Sequence, residues 1–208
     1  MSVPDSRIDY AIIEGFVPHG ARVLDVGCGD GTLLALLESK KAIDGRGLEL
    51  SQDGVNEAVA RGLSVVQGDA DTDLATYPDG SFDVVILSQT LQATQAPKKV
   101  LEELLRIGKR VIVTIPNFGN WRARLHLLLQ GRMPVTKALP YSWYDTPNIH
   151  FCTLRDFLNL AKEVDATIED SAALNAQGQR LALSAPWAVW NLIGAQGIFV
   201  LTSDQNVT

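Results

Sequence analysis

The stretch Val23-Leu24-Asp25-Val26-Gly27-Cys28-Gly29-Asp30-Gly31-Thr32 decides the fold. Its first residues have the aliphatic, β-branched character of a buried strand, and the glycines let the chain turn sharply into a helix starting near Gly31. Such a turn lets a ligand approach the main chain, and the first amides of the helix can donate to an anionic group. Dinucleotide-binding domains carry a similar loop, so the glycines alone do not choose a ligand. Three details narrow the choice. The spacing is G-x-G-x-G, with Thr32 where the third dinucleotide glycine would stand. Asp25, two residues ahead of Gly27, would repel a pyrophosphate and suits a cationic ammonium or sulfonium. Glu49 can accept hydrogen bonds from two ribose hydroxyls and would repel a 2′-phosphate, which argues against NADP.

Outward from this loop, buried-strand runs alternate with helical patterns, which predicts a mostly parallel sheet with helices on both faces. Ser6 with Asp9 resembles a capping box opening a helix through Ile8, Ile12, Ile13 and Phe16. Strands are expected over 22–26, 45–50, 63–67, 82–87 and 110–115. Ser51 can cap the helix after the second strand, and Pro97 suits the first turn of one ending near Gly108. After Pro116 the alternation stops. Residues 116–152 read as an inserted or capping segment with one helix, capped by Asn120 and ended by Gly131. Thr153 with Asp156 predicts another capping box, and 166–174 and 198–202 supply two last strands as an antiparallel edge, seven in all. One domain is expected, with a ligand-binding core over about 20–115 and a C-terminal helix and edge strands over about 153–208.

Composition bounds the function. With 46% hydrophobic and 20% charged residues the chain is an ordinary globular one. No apolar run is long enough to cross a bilayer, and the opening MSVPDSRIDY has no secretory pattern. Two cysteines, Cys28 and Cys152, match no zinc or redox spacing and fit a reducing cytoplasm; no metal site is expected. A net charge of −6 argues against general nucleic-acid binding. The charge is segregated, however. Residues 104–144 contain no acid but seven bases, Arg106, Lys109, Arg110, Arg122, Arg124, Arg132 and Lys137, so the remainder carries −6 − 7 = −13. The basic run is either a solvated rim or a docking surface for an acidic partner.

The other site candidates fall where neighbouring strands end, the place where open α/β sheets bind ligands. Leu50 follows Glu49. Gly68-Asp69-Ala70 ends the third strand, where Asp69 is either a turn former or an acceptor for an adenine amino group. Ser88-Gln89-Thr90 follows the fourth strand and should face the reacting end of a ligand. With Asp25, Gly27, Cys28, Gly29, Gly31 and Glu49, these residues resemble the class I S-adenosylmethionine-dependent methyltransferases over about residues 20–115. The resemblance implies a single-domain Rossmann-like fold and S-adenosylmethionine or S-adenosylhomocysteine as ligand. It makes Asp25 and the glycines the methionine-side loop, Glu49 the ribose carboxylate and Asp69 the adenine contact.

Later motifs narrow the family. Ile115-Pro116-Asn117-Phe118-Gly119-Asn120-Trp121-Arg122, Gly131-Arg132-Met133-Pro134-Val135-Thr136 and Leu139-Pro140-Tyr141-Ser142-Trp143-Tyr144-Asp145-Thr146-Pro147-Asn148-Ile149-His150 are unusual for a methyltransferase. With Ser88-Gln89-Thr90-Leu91-Gln92 they resemble the methionine-biosynthesis protein MetW family over about residues 20–165. That resemblance implies an accessory role beside the homoserine O-acyltransferase (acetyl- or succinyltransferase) that starts the pathway, and it establishes no methyl acceptor.

The residues leave further alternatives open. Trp121, Leu125, Leu128 and Leu129 fall on one helical face, either core, a lid or a groove-binding face. The aromatic loop 141–150 either walls a pocket or makes an interface. His150 is either a structural hydrogen-bonding group or a base oriented by Asp145 and Asn148; Tyr144 and Tyr141 are packing groups or acceptor-positioning ones. Cys28 reads as a small loop residue, and Trp187 and Trp190 as anchors of the C-terminal segment. Methyl transfer needs no conspicuous catalytic group, because alignment alone can supply roughly 7–11 kcal/mol. Three functions are therefore weighed. The favoured one is a ligand-binding accessory subunit; the second is an active small-molecule methyltransferase; the third, a nicotinamide oxidoreductase, is disfavoured by the glycine spacing.

Overall fold

The computed structural model describes residues 9–135, 141–181 and 185–203. Helix α1 (Asp9–Phe16) precedes β1 (Arg22–Val26), α2 (Thr32–Lys41), β2 (Asp44–Glu49), α3 (Gln52–Ala60) and β3 (Val65–Gln67). Then come β4 (Phe82–Ser88), α4 (Pro97–Ile107), β5 (Gly108–Pro116) and α5 (Trp121–Gln130). After these come α6 (Leu154–Glu163), β6 (Ala166–Leu174), α7 (Trp187–Ile193) and β7 (Gln196–Ser203). The seven strands form one sheet in the order β3-β2-β1-β4-β5-β7-β6. The first five are parallel, whereas β7 runs antiparallel to both β5 and β6. The sheet is thus mixed, with the expected antiparallel edge.

Strand alternation sends side chains to two cores. Val23, Val84, Ile86 and Ile112 pack with Leu33, Leu34 and Leu37 of α2 and with Val55 and Ala58 of α3. Leu24, Val26, Val85, Leu87, Val111 and Val113 pack with Leu101 and Leu104 of α4 and Phe157 of α6. At about 25 cal/mol per Å² of apolar surface, burial on both faces dominates the fold's stability.

Local signals set the boundaries. The Ser51 hydroxyl accepts from Gly54 N–H and opens α3, and Pro97 sits in the first turn of α4. The Thr153–Asp156 capping box is formed in both directions. Asn120 accepts from Arg122 N–H to open α5, and Gly131 closes it at φ 60°. Strand β3 is shorter than expected because Leu63 N–H returns to Ala58 O, finishing the turn after α3. Strand β5 is longer, since Gly108 ends α4 in an extended conformation and pairs at once with Phe82. Ser6 and Ile8 lie outside the described residues.

Helix α7 has no counterpart in the sequence-based expectation. Its Trp187 stacks on Phe199 of β7 with ring centroids 5.2 Å apart, and Trp190 packs edge-on to Trp187. The two tryptophans therefore anchor the C-terminal segment against the sheet, as expected. Among the described residues no helix is long and apolar enough to cross a membrane.

The basic run is not one surface. Arg106 pairs with Asp79 and Glu103, Lys109 with Asp83 and Arg110 with Glu169, toward the starts of the parallel strands. Arg122 and Arg124 lie on α5, beyond the far end of β5. Lys137 lies outside the described residues.

Candidate functional site

The turn from β1 to α2 carries three left-handed glycines, Gly27, Gly29 and Gly31. At Gly27 (φ 70°) an added Cβ would lie 2.5 Å from Thr90 Oγ1, so the loop packs directly on the segment after β4. At Gly31 (φ 74°) a Cβ would overlap the Leu63 side chain. Only glycine satisfies both the backbone sign and the space at these positions. Gly27 N–H donates to Leu48 O at 2.7 Å, tying the turn to β2.

A charged network fixes the rest of the turn. Asp30 accepts from Thr32 N–H and the Thr32 hydroxyl, while the Arg61 guanidinium reaches Asp30 Oδ2 and Thr32 Oγ1, each at 2.7 Å. Partial burial raises the Asp30 carboxyl's pKa, but the Thr32 hydrogen bonds and the Arg61 charge more than offset this, so it is held below its ordinary value. Arg61, at the end of α3, had no sequence motif to mark it.

At the carboxyl ends of β1, β2 and β3 an open cleft of about 360 Å³ has formed. Gly27, Glu49, Leu50, Asp69 and Ala70 line it, and Leu48, Asp71, Thr90, Ala93, Thr94, Gln95 and Ile149 complete much of its wall. Glu49 is oriented by backbone amides: Gly29 N–H donates to Oε2 and Ser51 N–H to Oε1, both at 2.8 Å. Each oxygen keeps acceptor capacity. Asp69 Oδ1 accepts from Asp71 N–H, and the Asp71 carboxylate accepts from Gln95 and Ala96 N–H, which pins the loop after β4 to the loop after β3. Three carboxylates in one cleft make it a site for cationic and hydroxyl-bearing groups, and a poor one for phosphate.

Comparison with known proteins is consistent with this geometry. The family model for methionine biosynthesis protein MetW matches residues 7–201. The chain belongs to the MetW family. A curated relative, the bifunctional methionine biosynthesis protein MetXA/MetW of Rhodopirellula baltica, is 33% identical over 185 residues. That match covers 84% of this chain and 30% of the relative, so the chain spans under a third of that protein. Among solved structures, an S-adenosylmethionine-dependent methyltransferase from Mesorhizobium loti superposes with TM-score 0.68 at 17% identity, covering 93% of this chain and 97% of that one. A possible histamine N-methyltransferase from Thermotoga maritima gives TM-score 0.67 at 19% identity, covering 96% and 91%. At such identities these two structures share the fold: α/β, Rossmann-like, of the class I methyltransferase type.

In this MetW family member the other sequence-derived candidates stand behind or beside the cleft. Asp25 is buried under the turn, and Gly29 and Gly31 shape the loop. Ser88 Oγ lies 3.2 Å from Thr114 Oγ1; Gln89, at φ 55°, donates its N–H to the same hydroxyl. The Cys28 thiol faces Gly47 and is pushed up to about 12 by burial and by the charges of Asp25 and Glu49. Burial and Asp156 push the Cys152 thiol up to about 11. Neither is a ready nucleophile.

The aromatic loop does reach the cleft. Ile149 lines it, and Ile149 and His150 N–H both donate to Gln92 O at 3.0 Å. The His150 side chain is exposed, and among the described residues neither Asp145 nor Asn148 hydrogen-bonds its ring. Tyr144 is 69% exposed and packs edge-on to Trp143 rather than entering the cleft. Gln92, which the sequence marks only as part of the Ser88–Gln92 motif, is 4% exposed. Its Nε2 donates to Gln89 O, while its buried Oε1 has no hydrogen-bond partner among the described residues.

Proposed function

We propose that this protein binds S-adenosylmethionine or S-adenosylhomocysteine in the acidic cleft and serves methionine biosynthesis as an accessory subunit of homoserine O-acyltransferase. One observation carries the ligand assignment: Glu49 is held by two backbone amides at the mouth of the glycine turn, with Asp69 lining the same cleft at the end of the neighbouring strand. The residues present fit the nucleoside. Glu49 would accept from the ribose hydroxyls and Asp69 from the adenine amino group, while the acidic surroundings favour a cationic amino-acid end. The volume lies in the range of small-molecule sites. S-adenosylmethionine, when bound, supplies a methyl group activated by its sulfonium.

The partnership rests on the MetW family and on the relative whose name joins MetXA and MetW in one polypeptide. Ligand and partner are coupled in this reading, and the coupling is reciprocal.

Titration calorimetry with S-adenosylmethionine, S-adenosylhomocysteine and NADP tests the ligand; binding of neither adenosyl compound would end this proposal. Co-elution with homoserine O-acyltransferase, with and without ligand, tests the partnership, and unchanged acyltransferase kinetics without co-elution would refute it. A second reading, methyl transfer to a small acceptor, is supported by the methyltransferase fold. Radiolabelled methyl transfer to cell metabolites decides that reading, and no product above background would remove it.

A further inference from the structure

Helix α5 is oriented against the rule that the other long helices obey. In α4, Val100, Leu101, Leu104 and Leu105 point into the core, and in α6 Leu154, Phe157 and Ala161 do so. In α5 the one buried residue is Ala123. Trp121, Leu125, Leu128 and Leu129 lie within an arc of about 100° on the opposite side. Their exposures are 45%, 43%, 80% and 73%. Exposed apolar stripes of this kind mark interaction sites. The spacing i, i+4, i+7, i+8 is that of a helix laid in a groove.

The borders of the stripe say what kind of groove. At 3.6 residues per turn, Arg122 falls just past Leu129 and Arg124 just before Leu128, so an arginine flanks each side. The Arg122 guanidinium lies 5.4 Å from the Trp121 ring centroid, and Arg124 Nε is tied to Gly119 O. Arg132 follows the helix, and no acid occurs over residues 104–144. A second copy packed face to face would place these arginines near their own equivalents about a two-fold axis.

We infer that α5 is a docking helix for a different protein, whose apolar groove has carboxylates along both rims. Trp121, Leu125, Leu128 and Leu129 fill the groove; Arg122 and Arg124 pair with its rims. The inference rests on the proposed acyltransferase partnership for the identity of that protein.

The test uses the full chain and immobilised homoserine O-acyltransferase in an interferometric binding assay. Leu128→Asp changes a side chain outside the core, so the fold and the affinity for S-adenosylhomocysteine should be unchanged. Its affinity for the acyltransferase should fall about 30-fold or more, the size of an interface hot spot. Arg122→Glu should weaken binding and reduce its salt dependence. If both variants bind like the wild type, the docking helix is refuted and the partnership stands. If the wild type itself does not bind, both fall. Two controls address other occupants. A concentration-dependent dimer in sedimentation that Leu128→Asp abolishes would overturn the inference in favour of a second copy. Leu128-dependent flotation with phosphatidylglycerol vesicles would overturn it in favour of a membrane.

Discussion

Replacing Gly27 with alanine tests whether the turn and the segment after β4 are one packed unit. The new Cβ meets two costs. Holding a non-glycine residue at φ 70° costs about 1–2 kcal/mol. The Cβ would also lie 2.5 Å from Thr90 Oγ1 and 2.7 Å from Cγ2, an overlap of the kind that costs about 1–3 kcal/mol. Together Gly27→Ala should destabilise by about 2–5 kcal/mol, with a fall in Tm of about 2–4 °C per kcal/mol for a chain this long. Thr90→Ala alone loses the hydrogen bond from Thr90 Oγ1 to Ser88 O (3.1 Å), worth about 1 kcal/mol. In the double variant both overlapping atoms are gone and the closest remaining Thr90 atom is Cβ at 3.1 Å, so about 1–2 kcal/mol should return. Urea unfolding of the four proteins measures the cycle. Additivity within about 0.5 kcal/mol would show that the loop does not press on Thr90, and the reasoning would be wrong.

Glu49→Gln places an amide donor toward Gly29 or Ser51 N–H, so one amide loses its acceptor; S-adenosylhomocysteine affinity should drop about 10–100-fold by calorimetry, with a loss of about 1 kcal/mol in stability from urea unfolding. Asp83 is held below the ordinary carboxylate range, chiefly by its hydrogen bonds from Lys109 and Arg22 N–H. Because its folded pKa is depressed, its stabilisation is present above the unfolded value near pH ~4 and lost as acidification proceeds below it. Asp83→Asn should therefore cost up to about 1 kcal/mol at pH 7 and flatten the acid limb of the stability curve, read from urea midpoints between neutral and acid pH. Both thiols should resist an aromatic disulfide reagent at pH 7.5 in the folded protein and react fully in urea, since burial pushes Cys28 up to about 12 and Cys152 up to about 11; fast native labelling of either would contradict this.

Much of the fold was legible because its signals are local. The residues 22–26 form β1 as expected, and the caps Ser51, Asn120 and Thr153 each hold the amide their side chains can reach. In the cleft, Gly27, Glu49, Leu50, Asp69 and Ala70 come together because each lies at or just past the end of a parallel strand, a place fixed by strand order. What escaped depends on contacts across the sheet. Arg61 is an ordinary helix-end arginine until α3 packs beside the turn and sets it on Asp30. Asp71 reads as one acid among several until Gln95 and Ala96 are brought against it. Helix α7 is short, and what holds it is the stacking of Trp187 on a strand that follows it in the chain.

The leucines of α5 show where periodicity stops being informative. Spacing tells that Trp121, Leu125, Leu128 and Leu129 share a face, and most such faces are core. Which way the face turns depends on the rest of the helix's packing. Here the polar loop before α5 is fixed first: Asn117 Nδ2 donates to Asn191 O and Gly194 O, and Asn120 Nδ2 to Ile193 O and Gly194 O. These bonds lock the start of the helix to the end of α7. With that end fixed, small Ala123 faces inward at the point of closest approach and the leucines on the opposite side face outward. Turning them inward would strain the two bonds of the cap residue Asn120, each worth about 1 kcal/mol. The asparagines thus decide the helix's orientation, and Asn120→Ala should loosen it, measurable as faster amide exchange in α5 than in α6. Equal exchange in the variant and the wild type would show that something other than this polar lock holds the leucines outward.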